Sequence, residues 1–311
     1  MSRCAVLAWS FAALLLVLHA LQALVAERTA PTLLLTYAPQ QPFALLAFGP
    51  LLFALLRRDR AAVLGALAGC ALALALLGGA LPSQTRAVGE AWGVMTYNVA
   101  RGQRGPQELA RVVRDEAPDV VCLQEVNGLR PDFLSRLARE LPQFTLVADR
   151  EVALLTRFPV RAGRVHELPD TQRRFLEARL DVRGTPVTVV NVHFTTVLLR
   201  GDIPGTAKRR EAQARRLTDL ARAAPGAFLA CGDFNTPPKG RVYGQLRAVL
   251  SDAFVQVGSG FGWTFPARMP LLRLDQVWLS PDLRAVRAQV PSALASDHRP
   301  LVVDVAFPAV R

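Results

Sequence analysis

The sequence predicts an α/β chain, a layered α/β sandwich over residues 90–311, preceded by a membrane anchor of about three transmembrane helices over residues 1–89. Three observations carry that expectation. The mean hydropathy is positive, +0.24, although 20% of the residues are charged. The two properties do not mix: six of the 37 basic and two of the 25 acidic residues precede residue 90, so 90–311 holds +8 of the net charge of +12. Beyond residue 90, β-branched runs outnumber amphipathic ones and several follow one another directly. That order favours stacked layers over a doubly wound parallel sheet. A chain of 311 residues allows one or two domains. A simple cytosolic enzyme, a disordered chain and a disulfide scaffold are excluded.

The anchor reads as follows. Residues 4–26 carry no formal charge other than at His19 until Glu27, and a helix needs ~20 apolar residues to span a bilayer. Residues 32–56 are apolar but interrupted by Pro39, Gln40, Gln41 and Pro42, and residues 61–81 are uninterrupted. His19 is expected to pack against a neighbouring helix. Arg57-Arg58-Asp59-Arg60 is the densest positive cluster here, and such short loops stay cytoplasmic. Three spans then put the N-terminus inside, the loop holding Glu27 and Arg28 outside, and residues 90–311 outside. The expected location is the cell membrane, multi-pass, with an extracytoplasmic domain.

Within 90–311, strands are expected at 93–98, 119–125, 144–148, 151–156, 175–183, 186–194, 227–232, 274–279 and 300–307. Helices are expected at 106–117, 130–140, 207–223 and 240–250, mostly bounded by Pro or Gly. The cluster Lys208, Arg209, Arg210, Arg215, Arg216 reads as the solvated face of the third of these. Four cysteines are too few for a disulfide framework; Cys122 and Cys231, inside strand-like runs, read as small buried hydrophobes without a bridge.

Polar groups recur at the ends of these core strands: Thr96-Tyr97-Asn98-Val99, Leu123-Gln124-Glu125-Val126, Asn191-Val192-His193-Phe194, Gly232-Asp233-Phe234-Asn235, Arg273-Leu274-Asp275-Gln276 and Ser296-Asp297-His298-Arg299. A polar group in an apolar run must be paired if buried. Singly, each reads as a strand cap or a turn; six together point to a site. One Glu beside an Asn is the sparse oxygen set that Mg²⁺ accepts. Two imidazoles add proton transfer or charge stabilisation, and a separate carboxylate can orient one of them. Metal, water, acid and oriented imidazole together suit in-line displacement at phosphorus.

In this order the segments resemble the endonuclease/exonuclease/phosphatase family, whose members include pancreatic-type deoxyribonucleases, abasic-site endonucleases, inositol polyphosphate 5-phosphatases and neutral sphingomyelinases. The resemblance runs over about residues 92–307 and implies a four-layered α/β sandwich (DNase-I-like) with the site at its strand ends. It implies that Glu125 binds the metal, Mg²⁺ or alternatively Mn²⁺, with Asn98 beside it and Asp297 supporting that region. Asp233 would position the nucleophilic water and Asn235 would bind phosphate oxygen. His298, held by Asp275, would contact the scissile phosphate, and His193 would be the second imidazole. Ala100 departs from the abasic-site enzymes, which carry Asp there, and this weakens a DNA-repair reading. Residues 258–270 read equally as a substrate-side loop and as a packed surface loop; Trp263 and Arg299 are the substrate-binding candidates.

The implied activity is that of a metal-dependent phosphoric ester hydrolase, phosphodiesters foremost, anchored in a lipid bilayer. Phospholipid and nucleic acid both remain open as substrate, because basic charge attracts either. The alternatives are a membrane-tethered nuclease on DNA or RNA and a catalytically silent scaffold. No obligate protein partner is inferred.

Overall fold

The computed structural model describes residues 1–39, 41–77, 90–127, 131–168, 171–197 and 201–308. The chain opens with α1 (Arg3–Leu24), capped by the Ser2 hydroxyl, which accepts from the Ala5 amide. The expected second span is broken: α2 (Ala30–Tyr37) ends before Pro39, and α3 (Gln41–Leu56) restarts beyond it. Proline cannot continue the helix from the residues that precede it, so two helices replace one. α3, with 16 residues, spans ~24 Å at 1.5 Å per residue, short of a ~30 Å hydrocarbon core. α4 (Arg60–Leu77) has 18 residues; residues 78–81 of the expected third span, and the tether after them, lie outside the described residues. Among the described residues one helix, Arg3–Leu24, is long and apolar enough to cross a membrane by itself.

The packing of these helices is inverted relative to a water-soluble core. Their alanines are buried (Ala5, Ala8, Ala12, Ala54, Ala62, Ala66 and Ala73), while Leu7, Leu16, Leu52, Leu56, Leu64 and Leu74 are exposed. At Gly65 an added Cβ would sit 3.0 Å from the Trp9 ring and at Gly69 3.1 Å from Phe11, so glycines let α1 and α4 approach closely. His19 packs as expected, its Nε2 lying 3.0 Å from the Leu72 carbonyl of α4. Ser2 hydrogen-bonds Asp59, which sets the N-terminus beside the Arg57–Arg60 loop and Glu27 at the other end of α1.

Residues 90–308 form two six-stranded sheets. The first contains β1 (Trp92–Asn98), β2 (Val120–Gln124), β3 (Thr145–Asp149), β4 (Val152–Thr156), β11 (Arg284–Gln289) and β12 (Leu301–Ala306) in the order β11-β12-β1-β2-β4-β3. The second contains β5 (Val160–Glu167), β6 (Arg174–Val182), β7 (Thr185–His193), β8 (Ala227–Asp233), β9 (Ser251–Asp252) and β10 (Asp275–Leu279) in the order β5-β6-β7-β8-β10-β9. Their inner faces share one core, with Val94, Val120, Leu154, Val189, Leu229, Val277 and Val303. The outer face of the first packs Tyr97 and Leu123 against Leu109 and Val113 of α5 (Pro106–Glu116) and Leu137 of α6 (Phe133–Glu140). The outer face of the second packs Phe228 and Trp278 against Leu217 of α7 (Ile203–Ala223) and Leu246 of α8 (Gly240–Arg247). The result is a helix–sheet–sheet–helix sandwich: the strand count suggested a layered sandwich, and the family resemblance implied its four layers.

All nine expected strands occur within a residue or two. Three others escaped the pattern: β5 (VRAGRVHE) and β11 (RAVRAQ) are arginine-bearing edge strands whose alternation is broken by register shifts at Val160/Ala162 and Ala285/Arg287, and β9 has two residues.

Two sequence readings are corrected. Cys122 and Cys231 form a disulfide, Cα to Cα 6.2 Å, joining β2 to β8. Strand alternation puts both on inner faces, and the sandwich brings those faces together. Arg210 is fully buried instead of solvated: it donates to the Thr195 carbonyl at 2.8 Å and to the Thr236 hydroxyl. It thereby braces the segments that follow β7 and β8.

Candidate active site

The period of two that fills the inter-sheet core also builds the site. In β1 the inner positions run Val94, Thr96, Asn98; in β2, Val120, Cys122, Gln124; in β7, Val189, Asn191, His193; in β8, Leu229, Cys231, Asp233; and in β10, Leu279, Val277, Asp275. At one end of both sheets the inner faces therefore turn polar together. β1 and β2 are parallel, as are β7 and β8, and His193 lies directly opposite Asp233. β10 runs antiparallel to β8 with Asp275 opposite Asp233. Beneath them, Gln124 donates to Asn191 Oδ1 at 2.8 Å, and Asn191 donates to the Leu123 and Ala153 carbonyls at 2.9 and 2.8 Å. This satisfied amide floor lets the polar end remain buried.

Asp233 is the centre of the cluster. Its Oδ1 accepts the Asn235 amide at 2.8 Å, and its Oδ2 accepts Asn98 Nδ2 at 3.0 Å and Asn235 Nδ2 at 3.3 Å. Asn98 Nδ2 also reaches Glu125 Oε1 at 3.3 Å, while Asn98 Oδ1 accepts the Ala100 amide at 3.0 Å. Asn98 is thus a spacer between two carboxylates. Asn235, at φ 47°, spends its second amide hydrogen on the Phe194 carbonyl at 3.1 Å. To bind a phosphate oxygen it would release the longer bond to Asp233.

The two imidazoles are held differently. His298 Nδ1 lies 2.8 Å from Asp275 Oδ2, and its Nε2 faces Asp233 Oδ2 at 3.9 Å. Burial favours the neutral ring, but Asp275 and then Asp233 outweigh it and push the pKa up to about 10, so His298 is an imidazolium at neutral pH. Burial pushes the Asp275 carboxyl up, against the pull of His298. Thr264 fixes this pair, its hydroxyl accepting from the Asp275 amide at 3.3 Å, and the Phe265 ring packs 4.8 Å from His298. His193 is fully buried, with Nδ1 2.7 Å from an Arg173 nitrogen and 3.3 Å from Glu151 Oε2. Its Nε2 faces Asp233 Oδ2 at 3.8 Å and Glu125 Oε1 at 3.9 Å without a hydrogen-bond partner among the described residues. Burial would raise Glu151, but His193 and Arg173 hold its carboxyl below the usual range.

The structure brings Asn98, Glu125, His193, Asp233, Asn235, Asp275 and His298 together. Asp297 is exposed; it hydrogen-bonds Ser296, and its carbonyl accepts the Ala267 amide. It acts on the cluster only through its charge on His298. Arg299 spends its Nε on the Ala267 carbonyl at 2.7 Å, bracing the 258–270 loop. Trp263 stacks on Phe261 at 4.4 Å and lines a cavity against α1 and α4, away from the polar cluster. Sequence reasoning missed Arg173 and Glu151, which lie in no strand-end motif, and Tyr37 of α2, whose hydroxyl donates to the Asn235 carbonyl at 2.6 Å.

Two donor sets could take a cation. Asp233, Asp275 and His298 place ligand atoms within 4.8 Å of one another, but two of them already share a hydrogen bond and the third faces an imidazolium. Glu125 fits better. Its side chain is 30% exposed at the site mouth, and among the described residues no Lys or Arg pairs with it. A hard oxygen donor beside a second carboxylate calls for a positive charge.

The comparisons agree with this fold. Residues 95–298 match the profile of the Endonuclease/Exonuclease/phosphatase family. The chain is 25% identical over 266 residues to the uncharacterized protein YbhP of Escherichia coli K12, covering 72% of this chain and 99% of that protein. Among solved structures it resembles a mannosyl-6-phosphatase of Bacteroides thetaiotaomicron (TM-score 0.57, 18% identity, 70% and 100% of the two chains). It also resembles D. rerio TDP2 complexed with a single-strand DNA product (TM-score 0.59, 16% identity, 70% and 100%). A polar cluster at the shared end of two stacked sheets, matched by sequence over most of the sandwich, places this chain in the endonuclease/exonuclease/phosphatase family.

Proposed function

We propose that this protein is a membrane-anchored, divalent-metal-dependent phosphoesterase, phosphodiesters foremost, whose catalytic end lies outside the cytoplasm. The observation that carries the reading is the inner-face cluster: a carboxylate positioned by three donors (Asp233), an imidazolium beside it (His298) and, at the mouth, a carboxylate that no Lys or Arg pairs among the described residues (Glu125). Glu125, with Asn98 beside it, would hold Mg²⁺ or Mn²⁺. Such a cation supplies charge stabilisation at the phosphoryl oxygens. Asp233 takes the proton of the attacking water, which Asn98 and Asn235 help it to do by fixing its carboxylate. The His298 imidazolium, oriented by Asp275, stabilises charge on the phosphate, and His193 directs its Nε2 towards the same space.

Three features support the anchored, outward-facing reading. Leucines turned outward and alanines inward suit helices in lipid, since an exposed apolar surface of this extent is unfavourable in water. The N-terminus and the Arg57–Arg60 loop share one end of the helices, whereas Glu27 and Arg28 meet the sandwich at the other: Arg28 pairs with Glu211 at 3.2 Å. A disulfide within the sandwich suits an oxidising compartment.

The test uses full-length protein in detergent against a phospholipid, a simple phosphodiester, a phosphomonoester, DNA and RNA, with Mg²⁺ or with chelator. Turnover that needs the metal and is abolished in Asp233→Asn is expected. Metal-independent turnover, or an active Asp233→Asn enzyme, would overturn the assignment. Preference for DNA or RNA over lipid would make the chain a tethered nuclease.

A further inference from the structure

We propose that the junction between the anchor helices and the sandwich holds a binding site for a phosphate group, centred on Lys239. The site is separate from the catalytic cluster and joined to it through Pro237 and Pro238.

Two cavities meet at Lys239. One, of about 90 Å³, lies between His19 and Gln22 of α1, Ala75 of α4, and Lys239, Trp263 and Arg273 of the sandwich. The other, a more open cleft of about 560 Å³, continues from His19 and Lys239 past Gly240 and Gly244 to Arg247. Among the described residues, neither is lined by an Asp or a Glu. The Lys239 backbone bonds locally to Pro237, but its ammonium has no acceptor among the described residues. Burial pushes its pKa down to about 8, with no carboxylate acting in the other direction. A half-buried cation in this state is an unfilled electrostatic demand.

The nearby charges do not meet that demand. Glu27 packs against Gly240 at the head of α8, where its Oε2 accepts the Arg241 amide at 3.3 Å and its buried Oε1 has no hydrogen-bond partner among the described residues; it lines neither cavity. The Arg273 guanidinium gives one nitrogen to Asp252 at 2.8 and 2.9 Å, while its Nε and other terminal nitrogen are buried without partners. Among the described residues the two cavities are therefore lined by cations and amide or imidazole groups and by no carboxylate, a lining that suits a phosphate. A volume of about 90 Å³ has room for a phosphate group, and the adjoining cleft of about 560 Å³ has room for the group that carries it.

The source of the phosphate follows from where the junction lies. His19 and Gln22 are near the sandwich end of α1, as Ala75 is of α4. A stacked aromatic pair, Phe261 and Trp263, adjoins them. Aromatic and basic groups at the end of membrane helices sit at headgroup level. On the anchored reading, the group that meets Lys239 is the phosphate of a bilayer phospholipid; free inorganic phosphate presents the same chemistry.

The experiment is native mass spectrometry of the full chain released from detergent, with phosphatidylglycerol, with diacylglycerol of the same chains, and with inorganic phosphate as competitor. Wild type should retain phosphatidylglycerol in preference to diacylglycerol. Lys239→Met, which keeps the aliphatic length, should bind it at least about tenfold more weakly, as expected for one lost charge-assisted hydrogen bond, and Lys239→Arg should restore binding. Lys239→Met should unfold at no lower temperature than wild type, because it removes an uncompensated charge, and this separates lost binding from lost fold. Displacement of the lipid by inorganic phosphate supports the site with free phosphate as its source. Equal lipid retention by Lys239→Met and wild type, or equal retention of diacylglycerol, overturns the proposal. The readout does not involve turnover, so an inactive enzyme would refute the catalytic reading and leave this one standing.

Discussion

Replacing both Cys122 and Cys231 by alanine isolates the largest single constraint between the two sheets. The bridge closes a loop of 109 residues. On the chain-entropy account, opening a loop of that length frees about 16 cal/mol/K in the unfolded chain, or about 5 kcal/mol at 25 °C. The alanines also leave the volume of two sulfurs empty between β2 and β8, which adds to the loss. For a domain of this size each kcal/mol moves the midpoint by about 2–4 °C, so a fall of about 10–20 °C is expected. The assay is thermal unfolding of the full chain in detergent, followed by near-ultraviolet circular dichroism. A thiol titration in denaturant should find Cys4 and Cys70 free and the other two protected. A midpoint shift of only a degree or two, or four titrating thiols in protein recovered from its native membrane, would refute the reasoning. Four thiols would also remove one support for an extracytoplasmic domain.

Three further outcomes are expected. Tyr37→Phe deletes the bond to the Asn235 carbonyl, worth about 1 kcal/mol; hydrogen exchange at the Asp233–Thr236 loop should speed up, and kcat should fall several-fold with KM little changed. Asp275→Asn removes the stronger of the carboxylates that hold His298 up at about 10, so the alkaline limb of the pH–rate profile should move to lower pH. Burial would raise Glu211, but hydrogen bonds from Arg28 and Arg241 hold its carboxyl below the usual range. A depressed acid stabilises the fold above its ordinary pKa and loses that contribution as pH falls through the depressed one. Contact between the Glu27–Arg28 turn and α8 should therefore loosen in acid, seen as faster exchange at Arg241, and Glu211→Gln should abolish that pH dependence.

What the sequence showed and what it hid divide along one physical line. The strands were legible because alternation is local: Val94-Met95-Thr96-Tyr97-Asn98 displays its two faces within five residues. The polar strand ends were legible for the same reason, since Asn98, His193, Asp233 and Asp275 each break an apolar inner face where that face ends. The break in the second apolar run was signalled by Pro39 and Pro42, although its consequence, two helices in place of one, was not drawn. The rest depends on contacts between distant segments, which no local pattern encodes. Nothing near Cys122 announces Cys231, nothing near His193 announces Arg173 and Glu151, and Arg210 sits in a run of basic residues that conceals its burial.

The junction with the anchor belongs to this second class, and it bears most directly on how the site works. Tyr37 sits 198 residues from Asn235 and bonds the carbonyl of the residue that also organises Asp233. Arg210 lies 5.9 Å from the Tyr37 ring and braces both Thr195 and Thr236, so it links the segments after β7 and β8 to the same tyrosine. Glu27 accepts the Arg241 amide at the head of α8, and Arg28 with Arg241 clasps Glu211 of α7. Each contact joins the turn and short helix after α1 to the elements that frame the catalytic loop. A simple tether would need none of them, because a flexible linker alone confines a domain to the bilayer. Buried charge at Glu27 costs free energy unless it is paired, and its retention at the head of α8 is economical only if the sandwich is held in one orientation. The N-terminal helices therefore form part of the support of the polar cluster, and how well the Asp233–Thr236 loop is ordered depends on how these helices sit.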